Sequence, residues 1–285
     1  MTISDHGEYL NKNRDRIIEA DLLQQNIIDF YSSLFDFQKS RYQELKDMDI
    51  ELFNAENDTL PVLKSHQLSF PESLQPFLDT ALKELLKIIE NYQKDFRFDK
   101  LDSMLHSDFS LYLQLARSLV DRDYDSLEKT AATAKTGLEG LLFVIINLFK
   151  PVFTLLREKH MIDYNEHDWA EESVCPFCGF LPDMAKIVAM KDNKRILHCA
   201  LCENEWQFKR VCCTVCGNQD METLGFFTYE EDKLYRFDYC EKCKGYIKTL
   251  HIPEQYDDAR YDLTVENIIT SFLDASALDM GYKKP

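Results

Sequence analysis

From residue 10 to 47 apolar side chains return at helical spacing: Ile17, Ile18, Leu22, Leu23, Ile27, Ile28, Tyr31, Leu34 and Phe35, with charged and amide residues on the other face. This pattern predicts one amphipathic helix. It breaks at DTLPVLKSHQLSFP, residues 58–71, where Pro61 and Pro71 bias the residues before them away from helix, so an extended crossing segment is expected. Leu74, Phe77, Leu78, Leu82, Leu85, Leu86 and Ile89 predict a second helix over 72–92. Ser107 or Asp108 suits the N-cap of a third helix reaching about Leu119, and Asp125 or Ser126 the start of a short fourth. A last helix is expected over 135–160. Its stretch GLLFVIINLFKPVFTLL is apolar on nearly every side but contains Asn147, Lys150 and Pro151. It is also shorter than the roughly 20 apolar residues of a membrane span. It therefore reads as a central core helix kinked near Pro151, with no membrane insertion.

Beyond residue 170 the period shortens to two. Residues 186–198 predict a hairpin with KDNK at its turn, and residues 224–237 a second with EED at its turn. Between them ENEWQFKRVC reads as a strand joining the two directly, with Trp206 and Phe208 on one face and Gln207 and Lys209 on the other. Trp206, Phe208, Phe226, Phe227 and Tyr229 are the expected thin core of these ribbons. Near the C-terminus Val265, Ile268, Ile269, Phe272 and Leu273 share one face of a helix over Thr264–Leu278, with Thr264, Glu266 and Asn267 suiting its start. That helix is expected to pack back on one ribbon.

The ribbons carry the chemistry. All nine cysteines lie between 175 and 243, and eight form Cys-x-x-Cys pairs: Cys175/Cys178, Cys199/Cys202, Cys213/Cys216 and Cys240/Cys243. Twenty residues separate the first pair from the second, and 23 the third from the fourth. A Cys-x-x-Cys knuckle turns both sulfurs toward one point, and Gly179 and Gly217 follow their cysteines where a positive φ relieves the turn. Two knuckles joined by a hairpin give four thiolates in a tetrahedron, which suits zinc or a rubredoxin-type iron. Consecutive pairing, first with second and third with fourth, predicts two metal ions per chain. Disulfides are disfavoured in a reducing compartment. A thioredoxin-like redox pair needs a βαβ setting and one lone motif. The hairpin spacing favours a mononuclear centre over an iron–sulfur cluster, which also takes four cysteines. Cys212 reads as a small buried hydrophobe, with an exchange ligand or reactive thiol as the sharper reading. His198 can ligate, although four thiolates already complete a structural site.

Charge narrows the function classes. The chain has 285 residues and a net charge of −17, so its overall field does not attract nucleic acid or anionic lipid. Residues 171–252 carry 11 Lys and Arg against 13 Asp and Glu. A nucleic-acid-binding zinc ribbon normally shows a basic stripe, and only Lys209, Arg210, Lys242, Lys244 and Lys248 offer one. That reading, and a redox switch that ejects its metal on oxidation, stand as the alternatives. No phosphate-binding loop, Ser/His/Asp set or paired-carboxylate constellation stands out, and no catalysis is expected. MTISDHGEYLNKNRDR has no apolar signal region, so a cytoplasmic location is expected.

The interleaved residues narrow the reading further. C-P-x-C-G-x-x-P at Cys175–Pro182, L-H-C-x-L-C-E-x-E-W at Leu197–Trp206, R-V-x-C-x-x-C-G at Arg210–Gly217 and Y-C-x-x-C-x-x-Y-I-K at Tyr239–Lys248 together resemble the formate dehydrogenase accessory proteins, the FdhE family. The layout is similar too, with a helical first half, tandem rubredoxin-like modules and a tail ending in Met280–Tyr282. The resemblance implies a cytoplasmic protein that binds the catalytic subunit of a formate dehydrogenase. Such an enzyme carries molybdenum or tungsten, commonly with selenocysteine and an iron–sulfur cluster. The accessory protein acts before export through the twin-arginine route. In the family the cysteine motifs are tied to iron, which places ligands at Cys175, Cys178, Cys199, Cys202, Cys213, Cys216, Cys240 and Cys243.

The expected architecture is α+β: a helical bundle over 1–168, rubredoxin-like modules over 169–210 and 211–252, and a helical tail over 253–285. The client is expected in a groove at the boundary near Lys159–Ser173, with Trp206, Arg210 and Tyr246 as contacts beyond the ligands.

Overall fold

In the computed structural model, which describes residues 3, 5–48, 50–53, 60–93, 97–160, 172–228 and 234–284, the chain is α+β, with ten α-helices and six strands among those residues. Contacts divide it into two units. One comprises Gln25–Met161 with Phe177–Phe180; the other comprises Met1–Gln24, Ile162–Pro176 and Leu181–Pro285.

The first unit is helical: α3 (Gln25–Asp47), α4 (Gln75–Tyr92), α5 (Asp99–Ser107), α6 (Ser110–Asp121), α7 (Tyr124–Ala134) and α8 (Leu138–Lys159). By length and composition α8 could cross a membrane. Here α3, α4, α6 and α7 pack around it instead. Leu141, Val144, Ile145, Phe149, Val152 and Phe153 are fully buried, each contributing about 1.5–3 kcal/mol by leaving water. Asn147, the polar interruption, accepts a hydrogen bond from Gln38 Nε2 at 2.9 Å and donates to Phe143 O at 2.7 Å. Asp123 caps α7 by accepting from Ser126 N at 3.1 Å, two positions earlier than the expected Asp125. Asp108 accepts from Ser110 N at 3.0 Å ahead of α6.

Two features of this half differ from the periodic reading. Helix α5 was not expected; it buries only Leu101 and Leu105, too few positions for a visible period. The continuous helix expected over 10–47 is three helices, α1 (His6–Lys12), α2 (Arg14–Glu19) and α3, with Asp21 in the left-handed region at φ 51°. Leu10 and Ile17 are fully buried in one unit and Ile28 in the other, so two apolar faces in succession mimic one stripe. Ile18, expected on that stripe, is exposed. Residues 60–71 hold one 3-10 turn, Ser65–Gln67, and Leu68 bridges back to Phe53.

In the second unit β1 (Pro182–Val188), β2 (Lys194–Cys199) and β3 (Glu205–Phe208) form one antiparallel ribbon, and β4 (Leu224–Thr228), β5 (Tyr235–Cys240) and β6 (Tyr246–Ile252) a second. β3 is the strand expected between the two ribbons, but the ribbons do not pair through it. They fuse through a parallel β1–β6 pair, Met184↔Lys248 to Val188↔Ile252, into one sheet of order β3-β2-β1-β6-β5-β4. β3 lies at its outer edge. A long-range pairing of this kind leaves no local mark in a sequence, whereas the turn does: Asp192 and Asn193 both take φ 54° in the expected KDNK turn. The expected EED turn and Tyr229 lie outside the described residues.

Met184, Val188, Phe237, Tyr246 and Leu250 form a core with Leu263, Leu273 and Ala277 of the tail. The tail is two helices, α9 (Leu263–Ile269) and α10 (Ser271–Asp279), broken at Thr270. Its cap is Asp262, accepting from Val265 N at 3.1 Å, rather than Thr264. Phe226 is not core: it is 59% exposed, with the Arg236 guanidinium 4.6 Å from its ring centroid. Tyr282 stacks on Tyr239 at 4.6 Å, giving the Met280–Tyr282 element a packing role.

Candidate metal centres

The four knuckles share one local design. Each Cys-x-x-Cys is followed by a residue with positive φ: Gly179 at 73°, Glu203 at 57°, Gly217 at 70° and Lys244 at 59°. In three of them the N–H of that fifth residue or its neighbour closes back on the first cysteine. Glu203 N donates to Cys199 O at 3.1 Å, Gly217 N to Cys213 O at 3.0 Å and Lys244 N to Cys240 O at 2.9 Å. The turn also aims N–H groups at sulfur: Leu201 N to Cys199 Sγ at 3.4 Å, Val215 N to Cys213 Sγ at 3.4 Å and Gly245 N to Cys243 Sγ at 3.3 Å. Such donors stabilise thiolates.

The hairpins bring the knuckles together in consecutive order. The sulfurs of Cys175, Cys178, Cys199 and Cys202 lie within 4.8 Å of one another, as do those of Cys213, Cys216, Cys240 and Cys243. Cys175 and Cys202 are 3.6 Å apart, Cys213 and Cys243 3.6 Å, and Cys216 and Cys240 3.8 Å. A disulfide would bring sulfurs to about 2.05 Å, and none of the nine cysteines is disulfide-bonded. Four sulfurs at about 2.3 Å from a central ion stand about 3.8 Å apart. The donor sets therefore fit one tetrahedral ion each, of the kind thiolates hold, iron or zinc.

The two groups differ in exposure. Every cysteine of the first is buried, whereas Cys216 is exposed and Cys243 half-buried. Burial pushes the Cys213 and Cys243 thiols up. At Cys240 burial also acts upward, but the N–H groups of Cys243 and Lys242 and the Asn218 amide, 3.5 Å from Sγ, outweigh it and bring the thiol down to about 7. Asn218 thus supports the second group, a role that no motif had flagged. Titrating metal-loaded protein with a chelator should therefore remove the second ion before the first. Metal analysis of single-group variants checks the order, and simultaneous loss of both ions would contradict it.

His198 and Cys212 lie outside both sulfur groups. His198 Nδ1 is 2.7 Å from Asp183 Oδ1, and buried Cys212 lends its carbonyl to Arg195 NH1 at 2.8 Å. Trp206 is buried with Nε1 donating to Glu172 O, and Tyr246 is buried with its hydroxyl on Asp274, so both are packing residues. Arg210 is exposed. The basic stripe does not assemble. Lys248 is 1% exposed and paired with Asp274 at 2.7 Å, Lys242 pairs with Asp220, and Lys244 with Glu241.

A second buried site had no sequence signal. His6 in α1 is 2.6 Å from Glu203 Oε1 through Nε2 and 2.6 Å from Asp262 Oδ2 through Nδ1. It thereby ties the first knuckle's turn residue to the cap of α9. Beside it, fully buried Glu266 accepts from the hydroxyls of Tyr9 and Tyr235. Partners some 200 residues apart cannot be read from local spacing.

Comparison with known proteins agrees with this geometry. A family model described as FdhE, central domain, matches residues 174–210, the segment that contains the first sulfur group. An FdhE homologue of Aquifex aeolicus is 24% identical over 280 residues, covering 95% of this chain and 91% of that protein. One from Haemophilus influenzae is 33% identical over 174 residues, 55% of this chain and 56% of its own length. One from Shewanella baltica is 32% identical over 114 residues, 40% of this chain and only 36% of its own length. The crystal structure of the FdhE protein from Pseudomonas aeruginosa superposes with a TM-score of 0.62 at 17% identity, covering 99% of this chain and 93% of that one.

Proposed function

Because this chain belongs to the FdhE family, the formate dehydrogenase accessory proteins, we propose that it binds the catalytic subunit of a formate dehydrogenase in the cytoplasm and supports formation of active enzyme before export. It does so as a binding protein, without catalysis of its own. The observation that carries this reading is the coincidence of the central-domain match with the buried sulfur group at Cys175, Cys178, Cys199 and Cys202. Relatives share the segment that builds a metal centre, and that centre is a structural one. Four thiolates leave no open coordination position for substrate. Two metal ions, iron or zinc, hold the fused sheet as a rigid, preorganised face, which lowers the ordering cost of binding a protein partner.

Deleting the gene should abolish most formate-dependent dye reduction while leaving the enzyme's transcript unchanged. A chain lacking all eight ligand cysteines should fail to restore it. Unchanged dye reduction after deletion, together with no catalytic subunit recovered on the tagged chain, would overturn the proposal.

A further inference from the structure

Away from the sulfur groups, the sheet unit contains a cavity of about 740 Å³ between α1–α2 and the segment after β6. Its charged wall is of one sign: Lys12, Arg16 and Arg260 line it, and no carboxylate does among the described residues. In a chain with 50 Asp and Glu against 33 Lys and Arg, a wall whose described charged residues are all cationic is an unexpected outcome. Neither Lys12 nor Arg260 is paired with a carboxylate among the described residues. Arg16 has Glu266 at 3.7 Å, but Glu266 is fully buried behind the wall and already accepts from Tyr9 and Tyr235. Three like charges around one void repel each other, so the arrangement is stabilised by an anion between them.

The remaining wall is aromatic. Tyr9, Tyr256 and Tyr261 face the cavity, and the Arg260 guanidinium sits 5.1 Å from the Tyr256 ring centroid. Guanidinium groups offer paired N–H donors that match phosphate oxygens, and lysine adds a point charge. Tyrosine rings offer faces for a planar heterocycle. The volume lies within the ordinary range for small-molecule sites of about 300–1,000 Å³. An extended polyanion would meet the strongly negative remainder of the chain, whereas a ligand the size of the cavity meets mainly its wall.

From the cations and rings together we infer that this cavity is a binding site for a small organophosphate carrying an aromatic base, of nucleotide size. Phosphate lies against Lys12, Arg16 and Arg260, and the base against the tyrosines. The site is separate from the metal centres and does not depend on which client the protein serves.

Isothermal titration of the metal-loaded full chain with ADP tests it. One ADP should bind per chain. Lys12→Ala and Arg260→Ala should each weaken it about tenfold or more, the loss expected for one charge-assisted hydrogen bond. Tyr256→Ala should weaken ADP while sparing pyrophosphate, and Lys87→Ala on the exposed face of α4 should change nothing. Thermal melting and metal content verify that each variant is folded. No saturable binding at millimolar ADP would overturn the inference. So would equal affinity in the Lys12 and Arg260 variants, or pyrophosphate binding as tightly as ADP, which would assign a bare oxyanion site.

Discussion

Cys175→Ser should release one metal ion per chain and unfold the sheet unit's first ribbon. The four sulfurs of its group are all buried, and the three left behind would be desolvated thiols without an ion. Metal binding supplies about 10–16 kcal/mol in small structural zinc domains, more than most domains have in total, about 5–15 kcal/mol. The loss is therefore not absorbed locally. Because β1 pairs with β6, the second ribbon should be destabilised as well, although its own ligands are intact. Cys216→Ser should be milder. Its sulfur is exposed, so water can take the vacated position. Metal analysis with near-ultraviolet circular dichroism separates the cases. Equal destabilisation by the two substitutions, or loss of the same ion in both, would show that the pairing or the burial difference is wrong.

His6→Ala should cost about 3–5 kcal/mol, the usual loss when one partner of a buried charged set is removed. Burial alone would push the imidazole down. The charges and hydrogen bonds of Glu203 and Asp262 overcome that and raise its pKa to about 9. Both ring nitrogens face carboxylate oxygens at 2.6 Å, so both must donate and the ring is an imidazolium. The sign of the pH effect follows. The folded pKa lies above the unfolded value of 6.5, so the stabilisation is complete below about pH 6.5 and shrinks as pH rises toward 9. Its size, from a shift of that span, is on the order of 3 kcal/mol. Denaturant melts of wild type and His6→Ala between pH 6 and 10 should therefore converge as pH rises. Parallel curves across that range would remove the imidazolium from the account.

The two predictions also mark how far the sequence was legible. The cysteine groups could be read because a knuckle is a local object: spacing, a following positive-φ residue and a hairpin-sized interval all lie within a few dozen residues. The α8 core helix and the KDNK turn were legible for the same reason. The β1–β6 fusion, the break between α2 and α3, and the His6–Glu203–Asp262 contact were not. Each depends on partners far away in the chain, and neither periodicity nor propensity records them. Phe226 shows the same limit at one residue. Alternation placed it in a core, but it sits on the outermost strand, where its ring meets Arg236 and solvent. Lys248 is the converse: a charge expected on a surface stripe is buried against Asp274 and Asn267 O.

The central claim is that two mononuclear tetrathiolate centres hold the sheet. X-ray absorption at the metal edge of anaerobically purified protein, with the ion count from the same sample, tests it most directly. The account predicts two ions per chain, each with four sulfur scatterers at about 2.3 Å and no short metal–metal distance. One ion per chain, a mixed nitrogen and sulfur shell, or a metal–metal vector from a cluster would contradict it.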